Sequence, residues 1–219
     1  MDEGEENIFN LLQNLNNPQN ENFKQADKII TELIMEQDQN FLQGIINILL
    51  NFSLEPNESF YALSILKAYF RKSIIFDKFH DSFPRSAYTN DQIQLFQTAA
   101  YHFFTYKESF VRYNAADLYI QAFKTNMSQE LTLIPQMIEK LTNTSTPIEE
   151  VLTIIECFCL ILSELQISDT EEELFPILLV LLTQYSDNDE FNSLFFKLLF
   201  KFSDPIFHMM QDKEDLINF

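Results

Sequence analysis

Leu133-Ile134-Pro135-Gln136-Met137-Ile138 is answered 41 residues later by Leu174-Phe175-Pro176-Ile177-Leu178-Leu179, and this correspondence decides the fold. The shift sets Leu133 on Leu174, Pro135 on Pro176, Ile138 on Leu179, Leu141 on Leu182 and Thr142 on Thr183. It continues into the next apolar stripe, where Ile154 meets Phe195, Ile155 meets Phe196, Phe158 meets Leu199 and Ile161 meets Phe202. One offset shared by two consecutive helical stripes is a repeated helix pair. A period of roughly 40 to 47 residues belongs to helical-hairpin solenoids, in which each unit buries its face only against its neighbours. The matched prolines fall inside the first helix of each pair, where the missing N–H should bend it.

Working outward, almost every segment repeats the 3.6-residue apolar period and almost none shows the strict alternation of a strand, which predicts an all-α chain. In Glu21 to Met35, the residues Phe23, Ala26, Ile29, Ile30, Leu33 and Ile34 form one stripe, with Lys24, Gln25, Lys28 and Glu32 outside it. Similar stripes run over Asn7–Leu15, Asp38–Phe52, Glu58–Ile74, Asp91–Phe104, Glu108–Lys124, Gln129–Leu141, Thr146–Leu165, Asp169–Tyr185 and Glu190–Phe202, with a further one from Pro205 onward. Turn residues interrupt the period at Asn16-Asn17-Pro18, Glu55-Pro56-Asn57, Asn143 to Pro147 and Ser186 to Asp189, and the longest interruption, Asp77 to Asn90, contains Pro84. The expected architecture is an α-solenoid, read as a single domain over 1–219, of about five HEAT-type hairpins (5–35, 38–74, 89–124, 129–165, 169–202) and the start of a sixth (204–219).

Composition narrows the function. Thirty-three acidic residues against 14 basic give a formal charge of −19, which disfavours polycationic binding of nucleic acid. A hydrophobic fraction of 46% with 23 Phe supplies a sizeable core. With Gly4 and Gly44 as the only glycines, phosphate-cradling loops and nucleophile elbows lack their material. Cys157 and Cys159, set among Ile, Leu and Phe, suit buried thiols in a reducing compartment and would point about 200° apart on a helix. His80, His102 and His208 form no motif, and neither a metal nor another cofactor is expected. The opening Met1-Asp2-Glu3-Gly4-Glu5-Glu6 has no basic n-region, and apolar runs such as Ile177 to Leu182 are too short to span a bilayer. These features predict a non-enzymatic protein inside the cell, with no membrane insertion.

Charge is unevenly spread. Residues 67–112 hold seven basic side chains (Lys67, Arg71, Lys72, Lys78, Arg85, Lys107, Arg112) against four acidic ones, whereas residues 125–195 hold 13 acidic residues and only Lys140. Polar partners would fit this division, and so would solvated faces that serve solubility.

In order and spacing, these features resemble the N-terminal region of the importin-β (karyopherin-β) family of HEAT-repeat transport receptors, over essentially the whole chain. The stretch Asn22 to Ile30 followed by Phe41-Leu42-Gln43 is similar to the family's opening, and Ala62 to Ile74 to its Ala-rich helix closed by a basic and an aliphatic residue. Leu133 to Ile138 resembles the family's Leu-Ile-Pro-Gln-Leu helix, and Thr146 to Cys157 the helix after it. The chain departs from the family in lacking Trp and in replacing many small residues with Phe.

The resemblance implies a superhelix whose second helices line the inner face and bind the small GTPase Ran in its GTP form. Carried over by position, Arg71, Lys107, Arg112, Asn114, Lys28 and Lys78 are the implied Ran contacts. In the family the outer surface between the first helices of the fifth and sixth pairs takes phenylalanines of FG-repeat nucleoporins, and Phe175 and Leu179 fall on the matching helix of the fifth pair. Cargo or adaptor would bind repeats outside this chain, and the protein would shuttle between cytoplasm and nucleus. The other reading is a HEAT scaffold of a phosphatase or vesicle-coat assembly with a partner other than Ran.

Overall fold

A computed structural model describes residues 3–16, 18–19, 21–75, 85–86, 88–124, 130–162 and 168–202. Ten helices account for nearly all of them: α1 (Glu3–Leu15), α2 (Glu21–Glu36), α3 (Gln39–Asn51), α4 (Pro56–Ser73), α5 (Asn90–Tyr101), α6 (Ser109–Lys124), α7 (Glu130–Thr142), α8 (Ile148–Leu162), α9 (Ser168–Tyr185) and α10 (Asp189–Leu199). The expected all-α class is thus observed, helix by helix. Pro135 and Pro176 lie inside α7 and α9. One feature was not anticipated: Ile74–Ile75 (β1) pairs antiparallel with Arg85–Ser86 (β2), joining the two ends of the long connection. The stretch expected to open a sixth pair, 204–219, lies outside the described residues.

Local chemistry sets several boundaries. Asp38 caps α3, its Oδ1 accepting the Phe41 N–H at 2.7 Å, and Asn188 caps α10 by accepting from Phe191 at 2.8 Å. Thr89 and Gln92 close a reciprocal capping box at the start of α5.

The chain divides into two compact units, Met1–Glu130 and Leu131–Phe219. In the first, α1 packs on α2, α3 on α4 and α5 on α6. The first helices of successive pairs also touch (α1–α3, α3–α5), as do the second helices (α2–α4, α4–α6). That double stacking makes an array of hairpins. Its core includes Leu12, Ile45, Leu49, Leu63, Phe70 and Phe96, all essentially inaccessible to solvent. Gly44 on α3 faces the Ile8 side chain of α1 so closely that a Cβ there would collide with the Cδ1 methyl, which would have to turn aside.

Buried polar groups pin the pairs together. Tyr69 on α4 donates its hydroxyl to the carbonyls of Leu33 (2.9 Å) and Asp38 (3.2 Å), bracing the turn between α2 and α3. Tyr106 likewise donates to Leu54 at 2.9 Å, linking the α5–α6 and α3–α4 connections. In the second unit, α8 packs on α10 and α9 on α10, around a core that includes Ile155, Phe158, Leu178, Phe191 and Leu198.

Candidate partner-binding face

In the first unit, the most organised polar surface runs between the second helices α4 and α6. Lys67 and Arg71 lie four residues apart on α4, and Asn114, Asp117 and Gln121 recur at intervals of three and four on α6, so each set shares a helix face. The two faces meet. Lys67 Nζ donates to Asn114 Oδ1 at 2.6 Å and to Asp117 Oδ2 at 2.9 Å. Arg71 Nε donates to Gln121 Oε1 at 3.0 Å, and its Nη2 lies 3.5 Å from Asp117 Oδ2. Gln121 Nε2 in turn donates to Asp117 Oδ1 at 2.5 Å. One carboxylate therefore serves two cations and leaves an excess positive charge on the ridge.

The two cations differ in exposure. Lys67 is largely covered, whereas the Arg71 side chain is 58% exposed. Its guanidinium is held through Nε and Nη2, while Nη1 has no hydrogen-bond partner among the described residues. A guanidinium with its rotamer fixed in this way loses less freedom on binding a carboxylate or phosphate than a free one does.

The other implied contacts are distributed differently. Asn114 is buried, with its amide donating to the Phe60 carbonyl (3.0 Å) and the Ser64 hydroxyl (2.8 Å) as well as accepting from Lys67. Arg112 is only 1% exposed, and its Nη1 donates to the carbonyls of Tyr106 and Lys107, both at 2.7 Å. Its charge therefore fastens the turn before α6 and is not presented to a partner, a correction to the sequence reading. Lys107 is exposed on that turn. Lys28 is exposed on α2 and pairs along its own helix with Glu32 at 3.8 Å. Lys78 lies outside the described residues. The structure thus joins Arg71 and Asn114 through Lys67 and Asp117, and leaves Lys28 and Lys107 as separate surface charges. Asp117 and Gln121 escaped the sequence reading, which placed Lys67 in the basic stretch and not among the contacts. Only their spacing on two helices hinted at them.

In the second unit, Leu179 is exposed and Phe175 half-buried on α9. Neither lines the apolar groove of about 180 Å³ that lies between α7, the start of α8, and α9. Its walls are Leu141, Val151, Ile177, Val180, Leu181 and Tyr185, with Val180 the most exposed of them on α9. The matching proline helices of the repeat thus flank this cleft, whereas the groove implied for Phe175 and Leu179, between the first helices of the fifth and sixth pairs, needs residues 204–219, which lie outside the described residues.

Among the described residues no three His, Cys, Asp or Glu side chains converge as metal ligands. Burial pushes the Cys159 thiol up to about 12 and the Cys157 thiol well above its ordinary range, each aided by the Glu156 carboxylate, so both stay protonated and unreactive. No described helix is long and apolar enough to cross a membrane.

No protein-family model matches the sequence, and no curated protein matches it either.

Proposed function

We propose that this chain is a non-enzymatic, importin-β-like binding solenoid that takes Ran in its GTP form on the second-helix face of its first unit. The observation that carries the reading is Arg71, half-exposed and held by Gln121 and Asp117 as a fixed guanidinium on the α4–α6 ridge. Lys107 and Lys28 add exposed positive charge on the α5–α6 turn and on α2, while Asn114 and Arg112 support that face from beneath. The order of helices along the chain adds the family resemblance. On the second unit, Phe175 and Leu179 on α9 remain the implied contacts of an FG-repeat nucleoporin, and the separate apolar groove between α7 and α9 offers a further place for an aromatic anchor. Cargo or adaptor binding then belongs to further repeats, and the protein works in both cytoplasm and nucleus.

In this reading the partner's γ-phosphate orders its own switch segments, and the solenoid selects that ordered state by differential affinity. The deciding experiment is calorimetric binding to Ran loaded with a non-hydrolysable GTP analogue and, in parallel, with GDP. Saturable binding of the GTP form alone, weakened at least tenfold by Arg71→Ala with Lys107→Ala, is expected. Equal affinity for the two forms, or no binding by a folded sample, would overturn the reading.

A further inference from the structure

Four contacts link α4 to α6 at a constant spacing of 50 residues along the chain. The Phe60 and Phe110 rings lie 5.7 Å apart between centroids, and Asn114 donates its amide to the Ser64 hydroxyl at 2.8 Å. Lys67 then donates to Asp117 at 2.9 Å, and Arg71 to Gln121 at 3.0 Å. On each helix the members recur at intervals of four, three and four, which keeps them on one face. The two second helices therefore run side by side in the same direction, rung against rung. The polar ridge is three rungs of a longer ladder whose first rung is aromatic, and the Asn114 amide ties the two parts together by donating also to the Phe60 carbonyl.

Exposure gathers at one member of each end rung. Phe110 is 42% accessible and the Arg71 side chain more than half so, whereas between them Asn114 is buried and Lys67 largely covered. The end rungs stand eleven residues apart on either helix, about 16 Å of helical rise. Both exposed groups are ordered before a partner arrives, Phe110 against the Phe60 ring and Arg71 through Gln121 and Asp117, so each loses little freedom on being covered. An interface of ordinary size covers about 800 Å² a side, so a protein seated on this ridge spans both ends of it. Aromatic and arginine side chains are also the ones that most often carry the binding energy of such contacts. We infer that Phe110, backed by Phe60, is the apolar anchor of the partner-binding face, and that the partner presents a nonpolar socket about 16 Å from the anion that meets Arg71. This rests on the reading of the ridge as the site for Ran in its GTP form. Charge alone would attract any acidic surface, and the fixed spacing of an apolar and a cationic anchor selects among them.

The test is calorimetric titration of the full chain with Ran carrying a non-hydrolysable GTP analogue, at low and at moderate salt. Phe110→Ser is expected to weaken binding at least tenfold and leave its salt dependence unchanged, while Phe110→Leu, which keeps the apolar bulk, binds nearly as the natural chain does. Arg71→Ala is expected to weaken binding and flatten the salt dependence, because it removes a charge. Circular dichroism and urea unfolding confirm that each variant is folded. Phe110→Gln keeps the stem that packs on Phe60 and reads the same contact if the serine variant fails to fold. A folded natural chain that does not bind Ran would overturn the reading of the ridge and the anchor with it. Binding that Arg71→Ala weakens but Phe110→Ser and Phe110→Gln leave untouched would keep that reading and overturn the anchor alone.

Discussion

Lys197 Nζ lies 2.7 Å from both carboxylate oxygens of Glu156, and the two residues stand 41 positions apart, at the same register of successive second helices. Side chains at equivalent places in a stack of hairpins point the same way, so a cation at one register and an acid at the next become a bond between neighbours. Glu156 is almost fully buried while Lys197 is half-exposed, so losses at the two ends are unequal. Lys197→Met leaves a covered carboxylate without its cation and should cost about 1–3 kcal/mol at neutral pH, discounted from the fully buried case because the pair borders solvent. Adding Glu156→Gln to that variant should return most of the loss. Urea unfolding of the two single variants and the double variant measures the coupling, and strict additivity would show that the pair contributes nothing.

Gly44 sits where two opposing effects can be separated. Alanine is the better helix former by roughly 0.5–1 kcal/mol, but here its Cβ collides with Ile8 Cδ1. Gly44→Ala should therefore destabilise by about 1 kcal/mol in the natural background. Ile8→Val removes the colliding methyl, and in that background the same change should stabilise. Thermal melts of the four combinations report the change of sign.

The buried thiols predict an alkaline weakness. Burial raises both, Cys159 from near 9 to about 12 and Cys157 well above 9, so between those limits the folded chain holds protons that the unfolded chain has lost. The unfolded state then binds fewer protons, and stability contributed by the neutral thiols falls as pH rises from about 9, by up to about 1.4 kcal/mol per pH unit for each thiol. Chemical denaturation at pH 7 and pH 10 should differ in this direction, and Cys159→Ala should narrow the difference. At pH 8 a thiol reagent should label neither cysteine until the second unit opens.

On the α4–α6 ridge, exposed and buried members should respond differently. Arg71→Ala removes an exposed guanidinium and should change stability by less than about 1 kcal/mol. Asn114→Ala strips Lys67 and the Phe60 carbonyl of a buried partner and should cost about 2–3 kcal/mol. Equilibrium unfolding of both variants tests the division. Equal costs would mean that Arg71 is structural too, and that its variant cannot be used to read partner binding.

The sequence by itself determined the helices and, in the first unit, which helix packs on the next. Apolar spacing such as that of Phe23, Ala26, Ile30 and Leu33, capping residues such as Asp38 and Asn188, and the 41-residue echo are properties of neighbouring positions along the chain, and they act wherever the segment packs. Tertiary structure alone decided which charges reach solvent. Arg71 and Arg112 read alike as basic residues on second helices, yet one stands outward on α4 and the other lies beneath the surface clasping the Tyr106 and Lys107 carbonyls. It also decided that Asp117 should bridge Lys67 and Arg71 from about fifty residues away, and that the α7–α9 groove should open at Val180 and Ile177 and not at Phe175. Those outcomes depend on how far one helix is turned about its axis against the next. That rotation is fixed by interdigitating side chains from distant parts of the chain, which no local spacing records.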